Sequence, residues 1–257
     1  TLFPYTTLFR SPNITDRMYA QLYSAAESVL AQSNYDVELF VTHDVPEKET
    51  VVLARMSSLK FAGVMIATCQ PGNIALFEEL MSTGIKMVFI ERDPDPSLDC
   101  NSVSCRNDKS VHYAVKTLLA DGCSHVALIA GPEVYSSEQL CAQGYRRAFA
   151  DSGREVDPEY IHNTSFSIED GFRATVQLLS LPEPPDAILC TSTQLTDGML
   201  GALRYVCNGR RPRLASLSEA QWNDNRYPGV LMLPRASLDL GETAATLLLE
   251  NIGNAAF

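Results

Sequence analysis

The sequence predicts an α/β fold made of two similar Rossmann-like lobes, each built on a parallel sheet. Apolar runs of strand length alternate with segments of helical periodicity along nearly the whole chain, which is the pattern of βαβ units. About ten predicted strands and about eight predicted helices are too many for one small sheet. A chain of 257 residues is long enough for two lobes.

The first half of the chain begins with an amphipathic helix predicted over residues 16–33. Met18, Leu22 and Leu30 fall on one face of this helix, and either Thr15 or Asp16 is the candidate N-cap. Glycines that end predicted helices, such as Gly84 and Gly122, divide the segments that follow. In order, these segments are a strand at 37–42, a helix at 47–60, a strand at 63–68, a helix at 73–83, strands at 86–90 and 102–105, and a helix at 108–121.

The second half repeats the alternation of strands and helices. The predicted elements are a strand at 125–130, a helix at 138–152, a strand at 160–164, a helix at 168–181, a strand at 186–191, a helix at 195–207, strands at 213–217 and 230–233, and a helix at 238–252. Open parallel sheets bind ligands outside the carboxyl ends of their strands. We therefore expect functional residues in the loops that follow strands.

The first eleven residues are expected to be a non-native leader. The stretch contains no initiator Met, no basic region followed by an apolar one and no small-residue cleavage site, and it is similar to translated adapter or vector sequence. We therefore exclude residues 1–11 from the predicted fold.

Composition excludes several classes of function. A net charge of −11 argues against general nucleic-acid binding, and no apolar run reaches the roughly 18 residues that a membrane span needs. The seven scattered cysteines are typical of free thiols in a reducing cytoplasm. No GxSxG, HExxH, P-loop or GxGxxG pattern is present, so we expect no enzyme, no cofactor and no bound metal.

Several short motifs occur in a fixed order through the chain. They are residues 102–107 (SVSCRN), the helix end at 117–122 (TLLADG), the strand and turn at 125–132 (HVALIAGP), residues 144–149 (GYRRAF), Phe166 with 169–172 (EDGF), residues 185–190 (PDAILC), residues 201–203 (GAL), Trp222, Pro228 and residues 240–244 (LGETA). In this order and spacing the chain resembles the LacI/GalR family of bacterial transcription regulators over residues 12–252.

The resemblance implies a fold like that of the type I periplasmic binding proteins, with a small-molecule cleft between two lobes. One lobe is expected at residues 12–106 and 236–257, and the other at residues 107–235. Regulators of this family sense an effector and control operator binding through a helix-turn-helix headpiece. No such headpiece precedes Pro12, so we expect operator DNA to be a partner only through a segment that this chain lacks.

Positions that match the family's ligand pocket supply candidate effector-binding residues. The aromatic candidates offer rings for stacking, and the polar candidates offer hydrogen bonds. The candidates are Asp16, Tyr19, Arg106, Tyr135, Ser137, Cys141, Phe166, Thr193, Ser218 and Trp222.

Several of these candidates depart from the family's pattern. Cys141 stands where the family usually has an Arg, and Arg106, Thr193 and Ser218 stand where it usually has Asp. Three explanations stay open: an effector of different charge or polarity, a response to effector that has decayed, or a register shift in these loops. We favour the first: the expected effector is a sugar-like molecule or an anionic metabolite, and Arg106 and Arg17 would favour an anionic one.

The resemblance also implies a homodimer with no membrane partner. Helices at 47–60 and 73–83 are candidate interface elements, because Val52, Met56, Leu76 and Met81 could form an apolar face. The alternative function is an extracytoplasmic solute-binding protein of an importer. The cysteines and the absence of an export signal argue against this alternative, and an enzyme on the same scaffold is the third possibility.

Overall fold

A computed structural model describes residues 6–59, 61–206, 211–219 and 229–253 of the chain. Within these ranges the strands are β1 Thr6–Ser11, β2 Asp36–Val41, β3 Gly63–Ile66, β4 Lys86–Ile90, β5 Asn101–Val103, β6 Val126–Ala130, β7 Ile161–Asn163, β8 Ala187–Cys190, β9 Arg213–Glu219 and β10 Val230–Arg235. The helices are α1 Arg17–Gln32, α2 Pro46–Leu59, α3 Ile74–Ser82, α4 Asn107–Ala120, α5 Ser136–Asp151, α6 Ile168–Leu179, α7 Thr193–Val206 and α8 Ser237–Gly253.

The chain divides into two compact units, each with one five-stranded parallel sheet. The first unit contains the described residues up to Cys105 and those from Ala236 onward, and its strand order is β2-β1-β3-β4-β5. The second unit runs from Arg106 to Arg235 with strand order β10-β9-β8-β6-β7. The predicted α/β class and the parallel sheets are confirmed.

Strand β1 is the main correction to the predicted fold. Thr6–Ser11 lies between β2 and β3, pairs in parallel with both, and is buried along its whole length. The expectation that residues 1–11 stand outside the fold is therefore wrong for residues 6–11. Their apolar and β-branched side chains suit an interior strand position. The non-native origin of residues 1–11 stays a prediction.

Helix α1 begins and ends close to the predicted positions. Asp16 is its N-cap, and the Asp16 carboxylate accepts a 2.9 Å hydrogen bond from the Met18 backbone N–H. Leu22 and Leu30 are fully buried against the sheet and α8. A Cβ atom at Gly241 of α8 would lie 2.5 Å from the Leu22 carbonyl oxygen, so only glycine lets these two helices approach so closely.

The second unit has an apolar layer on each face of its sheet. Helices α4 and α5 cover one face, where Tyr145 is fully buried and donates a 2.6 Å hydrogen bond to the Val126 carbonyl oxygen. Helices α6 and α7 cover the other face, where Leu178, Leu195 and Met199 are fully buried. Because both faces are covered, the central strands β6 and β8 are wholly apolar.

The predicted apolar face on α2 and α3 differs from the structure. Met56 is fully buried in the core of the first unit, so the prediction that it lies on an exposed face is wrong. Val52, Leu76 and Met81 are half-buried and pack against the same core. Within the described ranges, no helix is long and apolar enough to cross a membrane.

Candidate functional site

Polar side chains collect at the carboxyl edge of the first sheet. Asp44 follows β2, Thr68 follows β3 and Arg92 follows β4, and hydrogen bonds connect all three. Adjacent parallel strands end at the same edge, which explains how residues up to 48 positions apart meet here.

The centre of this group is the ion pair between Arg92 and Asp44. Arg92 Nη1 lies 2.6 Å from Asp44 Oδ1, and Nη2 lies 3.1 Å from Oδ2, so the pair is bidentate. Arg92 Nη1 also donates to the Thr68 carbonyl oxygen at 3.3 Å. The Arg92 side chain is 2% exposed and that of Asp44 is 30% exposed.

Glu49 forms a second, fully buried part of the same network. Its carboxylate accepts a 2.6 Å hydrogen bond from the Thr68 hydroxyl and a 3.0 Å hydrogen bond from the Cys69 backbone N–H. Arg10 Nε lies 2.7 Å from Glu49 Oε2, which pairs the two buried charges. Burial, together with the Glu49 charge, raises the pKa of the Cys69 thiol to about 12, so this thiol is protonated at neutral pH.

The backbone around this network is strained. His43, Asp44 and Glu91 have φ values of 54°, 55° and 61°, in the left-handed region that non-glycine residues rarely adopt. Each such residue costs on the order of 1–2 kcal/mol, a cost that surrounding contacts must offset. The Arg92 pair holds Asp44, and the Glu91 carboxylate accepts a 2.5 Å hydrogen bond from the Cys105 N–H. Strain of this kind is typical of functional edges.

Three of the predicted site residues belong to the first unit or to its border. Asp16 caps α1, and Tyr19 is buried in the core, where Asp16, Asp44, Glu91 and Arg92 act on its hydroxyl electrostatically. Burial raises the pKa of Tyr19 above its usual value. Arg106 is 64% exposed and forms a bidentate pair with Asp108, with both N–O distances 3.0 Å.

The carboxyl edge of the second sheet contains a buried glutamate, Glu138. Its Oε2 atom accepts a 2.7 Å hydrogen bond from the Gly131 backbone N–H and a 2.6 Å hydrogen bond from the Thr191 hydroxyl. Gly131 follows β6 and Thr191 follows β8, so one carboxylate links the ends of two neighbouring strands. Glu138 also lies in the first turn of α5, where the helix dipole favours a negative charge.

Two predicted aromatic residues, Tyr135 and Phe166, meet at this edge. Their rings stack with centroids 6.2 Å apart and an interplanar angle of 13°. The Phe166 ring also lies directly over Gly131, where an added Cβ atom would be 2.1 Å from Phe166 Cζ. Glycine at position 131 therefore makes the position of this ring possible.

The other predicted residues of the second unit differ in their surroundings. Ser137 lies in the first turn of α5, Thr193 begins α7 and Ser218 lies near the end of β9, and all three are buried. Cys141 is fully buried in the apolar core. Trp222 lies outside the described residues. Direct contact of these residues with an effector stays a prediction.

Sequence reasoning missed Asp44, Glu49, Arg92 and Glu138. A usable signal existed for three of them: Asp44 and Arg92 each lie two residues after the end of a predicted strand, and Glu138 is the first residue of the helix predicted at 138–152. Nothing local in the sequence indicates that Arg92 would pair with Asp44. Among the residues that the structure describes, no group of three or more His, Cys, Asp or Glu side chains could hold a metal ion.

The chain has two α/β units, each with a parallel sheet, and it passes from one unit to the other at residues 105–106 and 235–236. These features place it in the class of ligand-binding domains with a type I periplasmic-binding-protein fold. Residues 6–211 match the family described as periplasmic binding proteins and sugar binding domain of LacI family. This match covers more than half of the chain, and the chain belongs to that family.

Curated relatives of the chain are transcription regulators. AglR of Rhizobium meliloti is 27% identical over 67% of this chain and 48% of its own length, and CytR of Escherichia coli is 27% identical over 76% and 57%. The chain thus spans about half of the length of these two relatives. RegA of Clostridium saccharobutylicum is 25% identical over 93% of this chain and 72% of its own length.

Solved structures share the fold. The Cra regulator of Pseudomonas putida in complex with fructose 1-phosphate superposes with a TM-score of 0.89 at 24% identity, covering 98% of this chain and 93% of that one. A LacI family regulator of Enterococcus faecium with bound ribose gives a TM-score of 0.83 at 20% identity, covering 96% and 90%.

Proposed function

We propose that the chain is the effector-sensing part of a LacI-type DNA-binding transcription regulator that acts in the cytoplasm. The observation that carries this proposal is its match, over 67% to 93% of its length, to three proteins that are all transcription regulators. Operator binding would belong to a helix-turn-helix headpiece that the described residues do not include.

The proposed effector is a small polyhydroxylated molecule. The carboxyl edges of both sheets carry hydroxyl and carboxylate groups, namely those of the partly exposed Asp44 and of the buried Ser137, Thr193 and Ser218. Such groups form paired hydrogen bonds with sugar hydroxyls, and the Tyr135–Phe166 pair offers an aromatic surface for the apolar face of a ring. The related structures with bound fructose 1-phosphate and ribose support this class of ligand.

Effector sensing requires that the ligand prefer one conformation of the domain. A ligand that binds two conformations equally shifts nothing, whereas differential affinity shifts the population and thereby changes operator affinity. Couplings of this kind are typically about 1–3 kcal/mol, which is about a 5- to 150-fold change in binding.

Isothermal titration of the chain with a panel of neutral and phosphorylated pentoses, hexoses and nucleosides tests effector binding. We expect one chemical class to bind and to raise the melting temperature, because a ligand that binds only the folded state stabilises it. A fusion of the CytR helix-turn-helix segment to the chain then tests regulation. We expect the fusion to repress a reporter gene under a CytR operator, and we expect the bound ligand to change that repression. Ligand binding without any effect on repression would favour the alternative of a solute-binding protein.

We also propose that the working form is a homodimer. Because Met56 is buried, the α2–α3 surface is a weaker candidate for the dimer interface. The α6–α7 surface is a better candidate, because Tyr205 at the end of α7 is 81% exposed beside Phe172 of α6. Aromatic side chains are common anchors of protein interfaces. Sedimentation velocity across a range of protein concentrations measures this association directly.

A further inference from the structure

The pair between Arg92 and Asp44 has the geometry in which a guanidinium holds a ligand's phosphate or carboxylate. Two guanidinium nitrogens face two oxygens of one carboxylate at 2.6 Å and 3.1 Å. The guanidinium is nearly inaccessible and the carboxylate is partly exposed. A ligand at this edge therefore meets Asp44 more readily than Arg92.

The surrounding charges are mainly negative. Asp16, Asp44 and Glu91 act, together with the single cation Arg92, on the same buried Tyr19 hydroxyl. Arg10 lies beside this group, where it pairs with Glu49 at 2.7 Å and also lies 3.4 Å from Asp44 Oδ1. With Glu49 and Arg10 included, four carboxylates face two guanidinium groups, so the carboxylates remain in excess.

We propose that Asp44 is a specificity-determining residue that occupies the anion-binding position at Arg92, so that the effector group contacting the first unit is uncharged. The inference rests on the proposed effector binding and specifies its ligand class. A phosphate would have to displace a tethered carboxylate and also meet Asp16 and Glu91, and like charges brought together oppose binding. Arg106, which the sequence suggested as an anion partner, is held by Asp108.

The variant Asp44→Asn tests this role with little change in shape. Asparagine tolerates the left-handed backbone at position 44 and keeps one carbonyl oxygen for Arg92, but it carries no charge. Inorganic phosphate is the probe, because it needs no knowledge of the effector. We expect the variant to bind phosphate at least about tenfold more tightly than the wild type does, because Arg92 loses its anionic partner and can pair with phosphate instead.

Two further variants identify the origin of the gain. Addition of Arg92→Gln to Asp44→Asn should abolish the gain. Asp121→Asn is the matched control, since it removes a carboxylate from the exposed pair with Arg213 and should leave phosphate binding unchanged. Equal phosphate affinity of the folded Asp44→Asn variant and the wild type, or a gain that survives Arg92→Gln, overturns the proposal.

A measurement on the wild type alone covers the case in which the Asp44 variant fails to fold. The proposal expects the wild type to bind fructose more tightly than fructose 1-phosphate if it binds either, and the opposite order with competition by phosphate overturns it. If the whole sugar panel fails to bind, the proposed function loses its support. The phosphate titration of Asp44→Asn still decides the role of Asp44.

Discussion

The Thr191 hydroxyl donates a 2.6 Å hydrogen bond to the buried carboxylate of Glu138, and the same oxygen accepts the Gly131 backbone N–H at 2.7 Å. This contact connects the ends of β6 and β8 to the first turn of α5. This buried acceptor is costly to remove, because the Thr191 hydroxyl would lose its carboxylate partner and the Gly131 N–H would keep only a longer, 3.3 Å contact to Thr191 Oγ1.

Replacement of Glu138 by alanine should therefore lower the free energy of unfolding by about 3 kcal/mol. Glu138→Gln should cost less, since the amide oxygen can still accept one of the two hydrogen bonds. Urea denaturation followed by circular dichroism measures both values. Glu133→Ala is the control, because Glu133 lies in the loop just before α5 with an exposed side chain. Equal stabilities of Glu138→Ala and Glu133→Ala would show that the buried hydrogen bonds contribute nothing.

Gly131→Ala should destabilise the second unit by about 2 kcal/mol through overlap with the Phe166 ring. Gly201 is a matched control, since a Cβ atom there would lie 3.5 Å from Phe172 at ordinary contact distance. Gly201→Ala should instead stabilise α7 by about 0.5–1 kcal/mol. Thermal denaturation distinguishes these opposite signs.

The overlap at Gly131 predicts a specific rescue. Phe166→Ala in the Gly131→Ala background should cost less than Phe166→Ala alone, because the smaller side chain makes room for the new methyl group. Additive losses in the double variant would contradict the proposed overlap.

Protonation of His162 should make stability depend on pH. Burial lowers the pKa of His162 below its ordinary value of 6.5, so the folded state binds a proton less readily than the unfolded state does. Well above pH 6.5 the histidine is neutral in both states and has no effect on stability. As pH falls below 6.5 the unfolded state takes up the proton first, and stability decreases until the folded pKa is passed.

His162→Gln should reduce the loss of stability between pH 7.5 and pH 5.5, as measured by urea denaturation at the two pH values. The remaining pH dependence reports the other ionisable groups. An identical loss in wild type and variant would mean that His162 is as accessible to protons in the folded state as in the unfolded state.

Tyr205→Glu should weaken self-association at least about tenfold if the α6–α7 surface forms the dimer interface. Tyr113→Glu provides a control, since Tyr113 is an exposed tyrosine on α4. Sedimentation velocity gives the dissociation constant for each variant. Weakening by Tyr113→Glu but not by Tyr205→Glu would place the interface on a different surface.

The local pattern of the sequence is enough to predict most of the fold. The helix predicted at residues 16–33 is found at Arg17–Gln32, with Asp16 as its cap, because helical periodicity and capping are local properties. Strand β1 was missed for a different reason. Its residues have ordinary strand composition, but their similarity to adapter or vector sequence led to the prediction that they lie outside the fold.

The candidate site was less predictable than the fold. Stacking of Tyr135 on Phe166 joins two predicted residues, whereas the Arg92–Asp44 pair joins two that sequence reasoning overlooked. Arg92 and Asp44 are separated by 48 positions, and their contact depends on how strands are ordered in the sheet. The resemblance to a family identified Tyr135 and Phe166 as positions in the site, but it did not indicate the Arg92–Asp44 pair.

Because of helix α8, the two units can complete their cores at different times during synthesis. It packs on α1 through Gly241 and Leu22, so the first unit needs the last helix of the described chain to cover its sheet. The second unit is continuous from Arg106 to Arg235 and has all its strands before α8 emerges from the ribosome. On a translating ribosome, the unit that begins second along the chain is thus the first that can complete its core.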